Sequence, residues 1–74
     1  MKNRLLLHKK IYTERAVQNT IQAFGAIAEV SCQQAEQYYE LQFRRCRAGM
    51  ERTVKEFGNY VLMESIKETG ALYD

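Results

Sequence analysis

The chain is poor in the residues that usually announce a chemistry. It has one histidine, His8, and two cysteines, Cys32 and Cys46. Two cysteines make no disulfide framework, and nothing marks the chain as secreted. Free thiols acting as small apolar side chains are the plain reading; a structural disulfide or a metal site are the alternatives. His8 is the only imidazole a metal could use, and the three residues are scattered without ligand spacing. There is no nucleophile–base pair, metal cluster or phosphate loop. Proline is absent, and no low-complexity run or internal repeat occurs. Charge of one sign is also scarce: 11 basic side chains against 9 acidic leave +2, too little to argue for nucleic acid alone. "MKNRLLLHKK" has a basic start, but charge returns after three leucines. That is too short for a signal-peptide core or a membrane span, so the expected compartment is the cytoplasm.

What the chain does have is apolar content. Hydrophobic residues make up 46% of the 74, too many for disorder. The length predicts a single domain over residues 1–74. A domain of this size buries only about 60% of the surface its unfolded chain exposes. Its core supplies roughly 3–5 kcal/mol, a quantity that partners often supplement.

"RLLLHKKIY" sets Leu5, Leu7 and Ile11 in phase as a strand, although Leu6 and the Lys9–Lys10 pair blur the alternation. A short edge strand fits, since lysines on an edge discourage unwanted pairing. Over residues 13–24 the pattern is helical: Thr13 can cap, Glu14 suits the first turn, and Ala16, Val17, Thr20, Ile21 and Phe24 share a face. Gly25 stands where a left-handed residue would close the helix. In "AIAEVSCQ", Ala28, Val30 and Cys32 alternate with Glu29 and Ser31, as in a strand, with Ile27 on the polar side. "QAEQ" would be the loop, without the Asn-Gly or Asp-Gly of a tight hairpin.

Residues 33–46 read two ways. As a strand, Tyr39, Leu41 and Phe43 face one side, and Tyr38, Glu40, Gln42 and Arg44 the other. As part of one long helix, Cys32, Ala35, Tyr39, Phe43, Cys46, Met50, Val54, Phe57 and Val61 share a stripe, with Gly49 inside it at a cost of about 1 kcal/mol. Periodicity alone does not choose. The tyrosine pair and Phe43 favour a pleated surface. Leu41 is buried only in the strand, and a helix over 32–67 is too long for so small a domain. Residues from Met50 onward are helical on either reading, with Met50, Val54, Phe57 and Val61 inward, widened by Leu62 and Ser65, and Gly70 as the stop. Gly58 in mid-helix suggests close packing against another element. The resulting expectation is an α+β domain, β-α-β-β-α. Two helices would cover one face of a three-stranded sheet, and a right-handed crossover would bring the first strand beside the third.

Three segments carry a resemblance. "IYTERAVQNTIQAF" offers a strand ending in Tyr12 and a helix with Ala16, Val17, Ile21 and Phe24. "YYELQF" offers a central strand, and "EFGNYVL" the pattern Glu56-Phe57-x-Asn59-x-x-Leu62 at the start of the last helix. Over roughly residues 7 to 68 the chain resembles the HxsD-like proteins. These are small accessory proteins encoded beside radical SAM enzymes that modify ribosomally made peptides. A related neighbour is the small partner of the radical SAM peptide spliceases, which excise a tyrosine-derived fragment and leave a ketoamide. Longer members continue with a further helical segment where this chain stops at Asp74. The resemblance implies no catalytic residue, metal or cofactor in this subunit, and as partners a radical SAM enzyme and its precursor peptide.

Particular residues keep a plain and a sharper reading. Arg44, Arg45, Arg47 and Arg52 are a solvated face, a contact for an acidic peptide or enzyme surface, or phosphate contacts beside stacking Tyr38 and Tyr39. Asn59 is a buried polar contact or an interface residue. Tyr60, Met63 and Lys67 form a stripe that is either core or a docking face. The partner-binding candidates are thus Tyr60, Met63, Lys67, Asn59, Arg44 and Arg45. The expected role is a non-enzymatic accessory subunit. The competing readings are an all-helical self-associating regulatory module and a small basic nucleic-acid binder.

Overall fold

A computed structural model describes residues 3–69. The elements are β1 (Arg4–His8), α1 (Glu14–Ala23), β2 (Glu29–Gln34), β3 (Tyr38–Arg44) and α2 (Met50–Thr69). The order is β-α-β-β-α, and the three strands form one sheet ordered β1-β3-β2, antiparallel throughout. The first strand therefore lies beside the third. The long-helix alternative for residues 33–46, and with it the all-helical module, is excluded: Tyr38–Arg44 is the central strand.

Register explains why. Leu41 lies opposite Leu5 on β1 and Cys32 on β2. Tyr39 lies opposite Leu7, and Phe43 opposite Val30. Directly opposed residues share a face, so one side of the sheet carries Leu5, Leu7, Tyr39, Leu41, Phe43, Val30 and Cys32. Leu41 and Phe43 are 0% exposed. The other side carries Arg4, Leu6, His8, Tyr38, Glu40, Gln42, Arg44, Glu29 and Ser31, polar except for Leu6.

Both helices pack on the apolar side. α1 begins as expected: the Thr13 hydroxyl accepts from the Ala16 amide, and Ala16, Val17, Thr20 and Phe24 are buried. Gly25 does not take the left-handed conformation; instead the Phe24 amide donates to Thr20 and the Gly25 amide to Gln22. Gly49 is the glycine at positive φ, 96°. It sits in the loop before α2, and its carbonyl accepts from the Thr53 amide and hydroxyl. On α2 the buried ladder is Thr53, Phe57, Val61 and Ser65, each four residues from the next. Met50 and Val54 flank it half-buried, and Leu62 is exposed rather than part of the core. Phe57 packs edge-on against Phe24 of α1 and Phe43 of β3, with ring centroids 5.2 and 5.1 Å apart.

Three buried polar side chains are satisfied locally. The hydroxyls of Thr20 and Thr53 donate to carbonyls four residues back at 2.7 Å, and Ser65 Oγ accepts from the Thr13 amide across the helix pair. Among the described residues no buried side-chain nitrogen or oxygen lacks a partner.

Two strand limits differ from expectation. β1 stops at His8 rather than Tyr12, because the His8 carbonyl accepts from both Ile11 and Tyr12 amides and closes a turn. Ile11 is consequently 59% exposed instead of inward. The β2–β3 connection is only residues 35–37, with the Ala35 amide donating to the Tyr38 carbonyl. The Glu56–Leu62 segment lies within α2, not at its start. Gly70, the expected stop of α2, lies outside the described residues.

Leu41 is fully buried in the core cluster, so Leu41→Ala is expected to destabilise by about 2–5 kcal/mol, most of the stability of so small a domain. Urea denaturation measures it; a loss below about 0.5 kcal/mol would contradict the central-strand packing.

Candidate functional site

Among the described residues nothing pairs with either edge of the sheet. The Phe43 amide donates to Asn3, and the Lys9 amide to Gln37. In an antiparallel ladder, hydrogen-bonded pairs alternate with pairs whose backbone groups point away. Leu5 and Leu7 therefore bond to β3, and the amides of Arg4, Leu6 and His8 point outward with the carbonyls of Arg4 and Leu6. By the same alternation, counted from the Ala35–Tyr38 bond, β2 turns Val30, Cys32 and Gln34 outward.

The two edges differ in charge. β1 and the turn after it carry the cations Arg4, Lys9 and Lys10. Arg4 is held by Glu40 at 3.1 Å, and Lys9 Nζ donates to Gln34 at 3.3 Å while lying 5.4 Å from the centre of the Tyr39 ring. Among the described residues no acid pairs with the Lys10 ammonium. Near β2 the charges are mixed: Glu29 pairs with Arg45 at 3.4 Å and lies opposite Arg44, Arg47 is close by, and Glu14 accepts from the Gln34 side chain at 2.9 Å.

α2 supplies the second exposed feature. Tyr60 is 42% exposed and Met63 51%, so that stripe is surface and not core. Tyr60 leans on Phe24, centroids 5.7 Å apart, which holds its ring against the helix pair. Lys67 pairs with Glu64 at 3.6 Å. Asn59 is exposed rather than a buried polar contact. Tyr60 and Lys67 lie on the flank of α2 toward α1, and Met63 and Asn59 are exposed farther round the same helix.

Arg44 and Arg45 are elsewhere. Arg44 ends β3 on the uncovered face of the sheet, opposite Glu29, and Arg45 follows it at φ 54°. The six sequence candidates thus form two surfaces on opposite sides of the molecule. Tyr39 is 7% exposed and unavailable for stacking on a base. Tyr38 is on the uncovered face, with its ring edge-on to His8 at 5.0 Å. That leaves the basic patch without the paired aromatic platform a single-strand binder uses.

The cleft between the helices carries little unbalanced charge. Arg15, Asn19, Glu64, Lys67 and Glu68 line it, and its ions answer one another through Arg15–Glu68 at 4.0 Å and Lys67–Glu64. Glu68 also accepts from the Thr13 hydroxyl, locking the end of α2 to the start of α1.

Cys32 and Cys46 are free and half-buried. Cys46 Sγ lies 3.6 Å from Met50 Sδ. Burial raises the Cys32 pKa above 9.0, Glu14 raises it further, and Lys9 pulls it back. Burial likewise raises Tyr39 above 10.0, with Glu14 and Cys32 adding to it. Cys32 is thus a thiol kept protonated, not an activated nucleophile.

No family model, curated protein or solved structure matches the chain. Sequence reading missed the exposure of Leu6, the early end of β1 and the outward set of backbone groups. Leu6 was legible as the one leucine out of phase; the backbone pattern is set by register, which composition does not encode.

The raised values have a consequence for stability. The fold favours the protonated forms of Cys32 and Tyr39, so their contribution is complete below their unfolded pKa values and is lost as pH rises through the folded ones. Urea midpoints are expected to fall from pH 9.0 upward, with a shallower fall in Cys32→Ala. A midpoint that is flat or rising over that range would contradict the assignment.

Proposed function

We propose that the chain is a non-catalytic accessory subunit that binds a radical SAM enzyme and its ribosomally made precursor peptide in the cytoplasm, with splicease-type backbone modification as the reaction served. The observation that carries this reading is the division of exposed surface. One sheet is left with unpaired backbone at its edges, and an apolar patch of Tyr60 and Met63 stands on the outer side of α2.

Each surface suits one partner. An unpaired edge accepts an extended peptide as an added strand, main-chain bonds giving affinity and side-chain contacts giving selectivity. The α2 patch, with Asn59 and Lys67 at its rim, has the aromatic, methionine and polar composition of a protein interface. Arg44 and Arg45 add a basic contact for an acidic surface. The bond-breaking chemistry belongs to the cluster and S-adenosylmethionine of the partner enzyme; this chain positions. The resemblance over roughly residues 7 to 68 is the sequence support for the reading. Among the described residues no helix is long and apolar enough to cross a membrane.

The chain is expected to co-purify with the enzyme, and the enzyme to leave its precursor unmodified without it. The double change Tyr60→Lys, Met63→Lys is expected to separate the two proteins while the chain keeps its circular dichroism spectrum, because both side chains stand outside the core. Full modification in the absence of this chain would refute the accessory role.

A further inference from the structure

The two sheet edges are not equivalent, and a glycine marks one of them. α2 passes over β1 with its flank away from α1: Tyr60 and Glu68 face α1 through Phe24, Thr13 and Arg15, while Gly58 faces Leu5. Residues four apart stack on one helix face, so Val54, Gly58 and Leu62 form a stripe along the β1 edge. Val54 is half-buried and Leu62 exposed.

Gly58 is not required by the packing. A Cβ added there would meet Leu5 Cδ2 at 3.9 Å and nothing closer, an ordinary contact. The backbone there is ordinary helix, so no positive φ requires glycine. A glycine in mid-helix weakens the helix, and here it leaves a notch between Leu5 and Leu62 beside an unpaired strand edge.

Charge selects among occupants. A second copy pairing β1 with β1 would crowd the Arg4 and Lys10 cations of both copies along one seam, and like charges brought together are unfavourable. An acidic guest meets the opposite sign at Lys10, whose ammonium has no acid partner among the described residues.

We propose that β1, not β2, is the peptide-binding edge. Its guest is an extended segment with apolar side chains toward α2, one of them seated over Gly58 between Leu5 and Leu62, and acidic side chains on the sheet face of Arg4, Leu6 and His8. The guest's backbone pairs with Arg4, Leu6 and the His8 amide. This deepens the reading above and rests on it for identifying the guest as a precursor peptide.

The test uses the whole chain and a blocked, fluorescent synthetic peptide alternating valine and glutamate, followed by anisotropy. Wild type is expected to bind. Gly58→Leu fills the notch and is expected to weaken binding roughly tenfold, the scale of one buried apolar side chain. Replacing the peptide's glutamates with lysine, or N-methylating one alternate set of its amides, is expected to abolish binding, while the other methylated set binds. Gly58→Ala is the folding control and is expected to melt at a higher temperature than wild type. The proposal is overturned by no binding to wild type, by unchanged affinity in Gly58→Leu, by equal behaviour of the two methylated sets, or by a Gly58→Ala chain that fails to fold. The assay contains no enzyme, so a bound peptide with an enzyme indifferent to this chain would refute the accessory role alone.

Discussion

Phe57 stands where three elements meet, and the rest of the molecule is arranged by what its ring touches. One edge contact reaches Phe24 on α1 and another reaches Phe43 on β3. Aromatic pairs in this geometry add about 0.5–1.5 kcal/mol each beyond area burial, a large share of the stability of a 74-residue chain. The contact also fixes sidedness. Both helices must lie on the face that Phe43 presents, and they shield Leu7, Tyr39 and Leu41 with it. Among the described residues nothing covers the opposite face or the edges.

That one-sidedness connects the core to a binding role. The uncovered face is paved with Arg4–Glu40 and Arg45–Glu29 pairs, exposed ion pairs of small energetic worth that keep it wet. The edges lack a comparable cover. β1 is short and flanked by lysine, which discourages pairing with a copy of itself while leaving an acidic strand welcome. The outer side of α2 presents Tyr60 and Met63 in another direction. The proposed role, holding an enzyme and a peptide at once, needs two surfaces that do not overlap.

Much of the fold was legible in the sequence because burial here follows simple periods. Leu41 distinguished strand from helix: it is inward in one and outward in the other, and it is fully buried. The N-terminal signal of α1 was readable in Thr13 and Glu14. What escaped were features decided by tertiary context. Ile11 has strand phase but is carried outward by the turn that His8 accepts. Leu62 has core character yet lies one step around α2 from Val61, past the edge of the sheet. Gly25 resembles a left-handed cap, whereas Gly49, readable as a tolerated helix glycine, is the one at positive φ. Gly58 suggested close packing, whereas a Cβ there would meet only Leu5 Cδ2, at 3.9 Å. Among the site candidates, sequence pattern grouped Tyr60, Met63 and Lys67 correctly on one face. It could not say that Arg44 points to the far side of the molecule.

The central claim is that β1 is a vacant strand edge used by a peptide. Residue-resolved amide hydrogen exchange, measured on the chain alone and with saturating precursor peptide, addresses it most directly. The account predicts that the amides of Arg4, Leu6 and His8 exchange quickly in the free chain and slowly in the complex, while those of Val30, Cys32 and Gln34 do not change. Protection appearing on Val30, Cys32 and Gln34 instead, or fast exchange persisting at Arg4, Leu6 and His8 in the complex, would contradict it.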